Sequence, residues 1–392
     1  MSPATAELTS CCSDRVLVNK TRLWVALTCC KTAHHQQLTT LNFTTGFEHQ
    51  QSTNMSSNNT PPAAGPTMKA FRFNDFKSGL QLCDVPRPTP GPSEVLIQVK
   101  AAGLCHTDCT VMEDASYSLI LQRPITLGHE VAGVIAEIGS EVKGYEIGDQ
   151  IASCQICHPP EDADWRNIIG KSYDGGYAEF AIVKVSNIVR IPEGVTFAQA
   201  AVATDAVATA YHAVVTEGPV KPGQTIAVVG LGGLGLPAVR IAGLKGAVVY
   251  GVDLDSGKYA QAKQAGATDC ASSLSDFKDV QFDIIFDFAG AGVTTSEAAL
   301  AVKPGGKVVL VGLFSKQTTL NTFDFITRRI TLLGSVGASK GDLHDVLELI
   351  ATKQLTPLTT EIPFLDIPKG LADLNGGRVI GRLFADPSLL RS

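Results

Sequence analysis

At 392 residues the chain is long enough for two or three domains with substantial cores. It is 44% apolar and 18% charged, and its formal net charge of −6 comes with no basic stripe, so nucleic acid is not an expected partner. No apolar run reaches the roughly eighteen residues a bilayer span needs, so no membrane partner is expected, and ten scattered cysteines fit reduced, cytoplasmic thiols better than a disulfide framework.

Residues 1–67 are rich in Ser, Thr, Asn and Gln, lack sustained periodicity and close on Thr60-Pro61-Pro62-Ala63-Ala64-Gly65-Pro66. That composition buries too little apolar surface to offset ordering entropy, so a disordered extension is expected. Its apolar patch, Leu23 to Leu27, is too short and too far from the first residue for a signal sequence. Four basic residues against three acidic ones give little support to a mitochondrial presequence.

Strand compositions follow at Lys69–Phe73 and Glu94–Val99, separated by the proline-punctuated segment 86–92, and again at Val131–Gly139. A β-rich first domain is expected over 68–205. Alanine-rich helical sequence then runs from Ala198 to Val215. Beyond it, strands alternate with helices: Thr225–Val229, helix Leu234–Leu244, Val248–Asp253, helix Ser256–Gln264, then strands at Phe282–Phe286, Lys307–Val311 and Ile330–Gly334. This alternation predicts an α/β, doubly wound parallel sheet over 206–338. The tail, 339–392, has a helix at Asp342–Thr352 and a last strand near Gly381–Ala385, and is expected to return to the first domain.

Two motifs carry chemistry. Gly230-Leu231-Gly232-Gly233-Leu234-Gly235 fits G-x-G-x-x-G; it follows a buried-type strand, opens a helix, and Asp253 ends the next strand eighteen positions after Gly235. The glycines permit a tight turn and close backbone approach, and the helix N-terminus suits a pyrophosphate. Asp253 would accept from the ribose hydroxyls and repel a 2′-phosphate, favouring NAD over NADP; the competing reading is a solvated strand-end carboxylate. The second motif is Gly103-Leu104-Cys105-His106-Thr107-Asp108 with Leu127-Gly128-His129-Glu130. Thiolate and imidazole are ready zinc ligands, although a core cysteine beside an unrelated histidine is the bland alternative.

With Gly148-Asp149-Gln150-Ile151 and Asp174-Gly175-Gly176-Tyr177-Ala178-Glu179-Phe180, these segments resemble the zinc-dependent alcohol dehydrogenases of the medium-chain dehydrogenase/reductase family, over roughly Met68 to Asp386. The resemblance implies a Rossmann nucleotide domain beside a β-rich GroES-like catalytic domain, with NAD and one catalytic Zn²⁺ per chain as cofactors. It implies Cys105 and His129 as zinc ligands and places Asp205 where many relatives have a cysteine ligand; the alternative for Asp205 is an N-cap of the alanine-rich helix. Glu130 would sit behind the metal as a transient ligand, and Asp108 would orient the ligand imidazole. Thr107 resembles the hydroxyl that passes the alcohol proton outward. The relay histidine of many relatives is here Thr110, which leaves water as the acceptor. His106 and Arg382 fall where relatives contact the pyrophosphate, and Lys258 where one reaches the adenosine ribose; for all three the alternative is a solvated surface charge.

The four closely spaced cysteines of a structural zinc lobe are missing. Only Cys154 and Cys157, followed by His158, occupy that interval; two thiolates and that histidine do not complete a closed tetrahedral site, so no structural zinc is expected. The implied substrate is a primary or secondary alcohol or its carbonyl product, with Met112, Tyr117, Leu119 and Leu121 as candidate pocket residues. A homodimer is expected. A zinc-free quinone or enoyl reductase and a non-catalytic binding protein remain as alternatives.

Overall fold

The computed structural model describes residues 65–113, 120, 122–161 and 163–391. The chain first lays down β1 (Thr67–Phe73), β2 (Leu80–Pro86) and β3 (Glu94–Gly103), then α1 (His106–Glu113). Next come β4 (Ile125–Thr126), β5 (Glu130–Ile138), β6 (Gln150–Ser153), β7 (Phe180–Lys184) and β8 (Ile188–Arg190). β1 pairs with β2 and β4 in a small antiparallel sheet. β3 is the centre of a larger, mixed sheet, flanked by β5, β7 and β16 (Arg382–Ala385). Its inner face packs Val95, Ile97, Val99, Val131 and Ile135 into one apolar core. The late strand β16 thus joins the sheet built on β3.

Helix α2 (Phe197–Val202) starts at a capping box in which Thr196 and Gln199 satisfy each other's backbone N–H groups. It continues through a π-helical turn at Ala203–Val207, then α3 (Ala208–Tyr211) and a second π-helical turn at His212–Glu217. The N-cap reading of Asp205 is therefore corrected: Thr196 caps this helix, and Asp205 sits inside the first π turn. A π turn widens the helix by one residue and re-aims its side chains, a distortion common at functional sites.

The second half alternates β9 (Thr225–Val229), α4 (Gly235–Leu244), β10 (Val248–Val252), α5 (Tyr259–Ala265) and β11 (Ala267–Ala271). It continues with β12 (Phe282–Asp287), α6 (Val293–Ala301), β13 (Val302–Leu310), α7 (Thr322–Arg328) and β14 (Thr331–Gly334). These strands form one parallel sheet in the order β11-β10-β9-β12-β13-β14. The order in which strands are added reverses between β9 and β12, and ligands of such sheets bind outside the carboxyl ends of the strands at that point. The apolar run Ile226-Ala227-Val228-Val229 is buried on both faces, as a central parallel strand requires. α8 (Lys340–Ala351) buries Leu343, Val346, Leu347 and Ile350, an i, i+3, i+4, i+7 stripe, in a core shared with α3 and α4. β15 (Thr359–Ile362) and α9 (Ile367–Asn375) then lead to β16.

Candidate active site

Cys105 ends the turn after β3, and His129 precedes β5, the strand paired with β3. The register brings Gly103 opposite Glu130, which sets the two ligand segments side by side. Gly128 has φ +91°, and a Cβ there would meet the ring of Tyr177, so glycine alone fits before His129. Asp205 enters from the π turn, one hundred residues along the chain from Cys105.

One ligand atom from each of Cys105, His129, Glu130 and Asp205 lies within 4.8 Å of the others. Cys105 Sγ stands 3.3 Å from Asp205 Oδ2, and His129 Nε2 stands 3.4 Å from that same oxygen. His129 Nε2 is buried without a hydrogen-bond partner, whereas its Nδ1 is 3.2 Å from Asp108 Oδ1. A tetrahedral zinc, with N at about 2.0–2.1 Å and O at about 2.0–2.2 Å, would set such atoms about 3.3–3.5 Å apart. The donor set and the orphaned nitrogen therefore fit a zinc ion held by Cys105, His129 and Asp205.

The electrostatics point the same way. Burial opposes a charge on Cys105, but Arg382 and His129 outweigh it and hold the thiol below its ordinary value. Asp205 is likewise buried, yet His129, Lys171 and Arg382 hold its carboxyl far below the carboxylate range. Against burial and the Lys171 charge, Asp108 and Cys105 raise the proton affinity of His129 well above normal, the mark of a place that favours a cation. Burial raises Glu130 well above the carboxylate range despite Arg382, and its Oε2 has no hydrogen-bond partner.

Arg382 links this cluster to the nucleotide motif. It is 3% exposed, its guanidinium bonds Glu130 and lies 3.7 Å from Asp205 Oδ2, and its methylene stem fills the space a Cβ on Gly233 would need. The solvated-charge reading of Arg382 is thereby corrected. Gly230 has φ +90°, and a side chain on Gly235 would strike the Gly230 carbonyl, which explains the tight turn. A Cβ on Gly232, by contrast, would meet nothing within 4 Å, so the turn borders open space where a pyrophosphate fits. Leu234 forms the N-cap of α4. Asp253 Oδ2 accepts from the Leu231 N–H at 2.8 Å, and Lys258 Nζ lies 3.1 Å from both Asp253 oxygens. Lys258 and Asp253 are therefore partners at the end of β10, and neither is a free surface charge.

His106 opens α1 and is exposed. Thr107 Oγ1 is 3.6 Å from Cys105 Sγ, and Thr110 Oγ1 donates to the His106 carbonyl at 3.1 Å. Met112 packs, partly buried, on the first core, while Tyr117, Leu119 and Leu121 lie outside the described residues.

Sequence reasoning missed three side chains. Tyr177 is fully buried and donates to Asp108 Oδ2 at 2.8 Å. Lys171, 8% exposed, donates to Gln155 Oε1 at 3.0 Å, and Gln155 Nε2 donates to the His129 carbonyl at 3.4 Å. Tyr177 stands in the Asp-Gly-Gly-Tyr segment, so a signal was present; Lys171 and Gln155 lie in a loop without a motif.

Known proteins agree with this architecture. Residues 91–193 match the family model for the alcohol dehydrogenase GroES-like domain, and residues 233–352 that for the zinc-binding dehydrogenase. An alcohol dehydrogenase of Geobacillus stearothermophilus is 31% identical over 81% of this chain and 98% of its own length. An acryloyl-coenzyme A reductase of Sulfurisphaera tokodaii is 29% identical over 82% of this chain and all of its own. Among solved structures, acetophenone reductase from Geotrichum candidum in complex with NAD superposes with a TM-score of 0.75 at 33% identity, covering 82% of this chain and 97% of that one. The chain belongs to the zinc-type alcohol dehydrogenases of the medium-chain dehydrogenase/reductase family.

Proposed function

We propose that this chain is a zinc-dependent enzyme that transfers hydride between a primary or secondary alcohol and NAD, giving an aldehyde or ketone, or runs the reverse reaction. The observation that carries this reading is the buried Cys105–His129–Asp205 cluster with its orphaned His129 Nε2, joined through Arg382 to the glycine turn. Zinc in that cluster supplies a Lewis acid that lowers the pKa of a bound alcohol, and NAD supplies the hydride acceptor.

The protein's own groups do the rest. Asp108, itself held by Tyr177, accepts a hydrogen bond from His129 Nδ1–H, which keeps the proton on Nδ1 and leaves the Nε2 lone pair free to ligate. Thr107 passes the alcohol's proton outward, and with Thr110 in place of a histidine the proton leaves to water. Asp253 and Lys258 receive the adenosine ribose, while His106 and Arg382 flank the pyrophosphate. Glu130, buried behind the cluster, is a reserve ligand. The free thiols of all six cysteines among the described residues support a cytoplasmic location. A homodimer is supported by Phe323 and Ile326, 71% and 76% exposed on α7 near the sheet edge at β14. We divide the chain into a catalytic domain over 68–205, a nucleotide domain over 206–338 and a returning tail.

The acryloyl-coenzyme A reductase relative favours an enoyl reductase as second reading. A panel of primary, secondary, aromatic and polyol alcohols with NAD, run on wild type and Cys105→Ser, separates the two. The expected result is NADH formation with at least one alcohol, abolished with the metal in Cys105→Ser. Reduction of an α,β-unsaturated thioester that survives Cys105→Ser, with no alcohol oxidised, would establish the second reading.

A further inference from the structure

Lys171 is a buried charge beside the catalytic cluster to which hydride transfer gives no task. It stands in the turn 168–173, where its backbone N–H donates to the Ile168 carbonyl and the Gly170 N–H to the Tyr173 carbonyl. Gly170 has φ +72°, and a Cβ there would strike the backbone of Gly128 and His129. The turn therefore packs against the segment that presents the ligand histidine. The Lys171 side chain is 8% exposed, and its Nζ donates to Gln155 Oε1 at 3.0 Å. Gln155, also buried, donates in turn to the His129 carbonyl at 3.4 Å.

An ammonium carries three N–H donors, and here its side-chain partner is a neutral amide. Among the described residues no carboxylate forms an ion pair with it. The anions nearby are engaged elsewhere: Glu130 with Arg382, Asp108 with Tyr177 and His129, and Asp205 with His129 and Cys105. Burying a charge against a neutral partner is costly, and a bound anion relieves that cost. The charges around the cluster say where such an anion belongs. Arg382 is the leading cation for Cys105 and Glu130, and its stem abuts Gly233 of the nucleotide turn. Lys171 acts from the loop that carries Gln155 and Cys157. It counters the rise that burial imposes on Cys157, opposes the proton on His129 and, after His129 itself, helps hold Asp205 low. The cluster thus has one cation on its nucleotide side and another on its loop side. With the pyrophosphate facing Arg382, Lys171 is left for the other reactant.

We propose that Lys171, held in place by Gln155, forms a carboxylate subsite, so that the substrate is a hydroxy acid or the corresponding oxo acid. This rests on the catalytic reading above and narrows its substrate class. In the oxidation, the carbinol C–H hydride passes to NAD, the hydroxyl proton leaves to water and a C=O bond forms. The carboxylate is unchanged; its ion pair with Lys171 orients the carbinol toward the cluster. Lys171 is thereby a specificity residue, and a neutral alcohol of the same size lacks the group that pairs with it.

The test compares 2- and 3-hydroxybutanoate with their methyl esters as substrates of the full-length enzyme with NAD, and reads butanoate binding to the NADH complex by calorimetry. Wild type should prefer at least one acid over its ester by about 10-fold or more in kcat/KM. Lys171→Met and Lys171→Gln should each lose that preference, chiefly through a higher KM for the acid, and should bind butanoate about 10-fold or more weakly than wild type. Lys171→Arg, which keeps the charge, should restore part of both. Equal losses on acid and ester in the two neutral variants would overturn the proposal, since Lys171 would then serve only to hold Gln155. Absence of an acid preference in wild type would overturn it as well. The two readings fail separately. Ester oxidation without butanoate binding sinks the subsite alone, whereas Lys171-dependent butanoate binding in a protein that oxidises no alcohol sinks the catalytic reading and leaves the subsite standing.

Discussion

Tyr177 has the most exact residue-scale task, because it touches neither the metal ligands' donor atoms nor the glycine turn. Its hydroxyl holds Asp108, and Asp108 holds His129, so the ligand nitrogen is aimed through two hydrogen bonds of 2.8 and 3.2 Å. Tyr177→Phe should lower zinc affinity or kcat/KM by roughly 10-fold or more, the usual effect of removing a group behind a ligand. Equilibrium dialysis and steady-state rates check it, and wild-type values in both would show that Asp108 needs no such support. Asp253 makes a second residue-scale prediction. Asp253→Ser removes the acceptor that faces the ribose and frees Lys258, so the kcat/KM preference for NAD over NADP should fall by roughly 10-fold, about 1.4 kcal/mol. An unchanged preference would mean that Asp253 serves only Leu231 and Lys258. The chemistry of both positions was differently legible: Asp253 follows a glycine turn at a recognisable spacing, whereas the partner of Tyr177 lies sixty-nine positions away.

Among the elements, α8 shows how a cap and an ion pair combine. Asp342 closes a capping box with Ser339 and accepts from His212 Nδ1. Burial opposes its charge, but His212 and Ser339 overcome it and its pKa is lowered. A lowered carboxylate stabilises the folded state above its unfolded pKa of about 3.9 and loses that effect as pH falls through the lower folded value. In metal-free protein, Asp342→Asn should therefore cost about 1–3 kcal/mol near neutrality, and its Tm should approach that of wild type as pH falls below about 4. A gap of constant size across that range, read by thermal melts, would mean that the charge contributes nothing. Elements with a buried stripe, such as α8, or a buried apolar run, such as β9, were readable from sequence. Of those that escaped, β11, β15 and α7 are short or exposed: β11 buries only Ala267 fully, and α7 buries none of its residues; α9 escaped although it buries Ile367, Leu371 and Leu374. In the first three, without one buried face there is no periodicity to read. The π turn at Asp205 escaped for another reason, since nothing in Ala203-Thr204-Asp205-Ala206-Val207 distinguishes it from ordinary helix.

For the whole molecule, the two sheets meet where Arg382 stands, and the nucleotide turn and metal cluster share that side chain. A ligand bound there belongs to the folded state alone, so NAD at a hundredfold excess over its Kd should add about 2.7 kcal/mol and raise Tm measurably. NADP at the same concentration should do much less, and equal shifts would remove the nucleotide discrimination assigned to the β10 end. The amino-acid sequence alone determined the local chemistry: a glycine turn between a buried strand and a helix, and thiolate and imidazole behind glycines. It also determined the alternation that makes a parallel sheet. These are short-range properties, fixed by backbone sterics and by period. Only the tertiary structure decided which distant groups converge: Asp205 on Cys105 across 100 positions, Arg382 on Glu130 across 252, and His212 on Asp342 across 130. Such contacts follow from how sheets and helices pack around a shared core, and no local propensity encodes them.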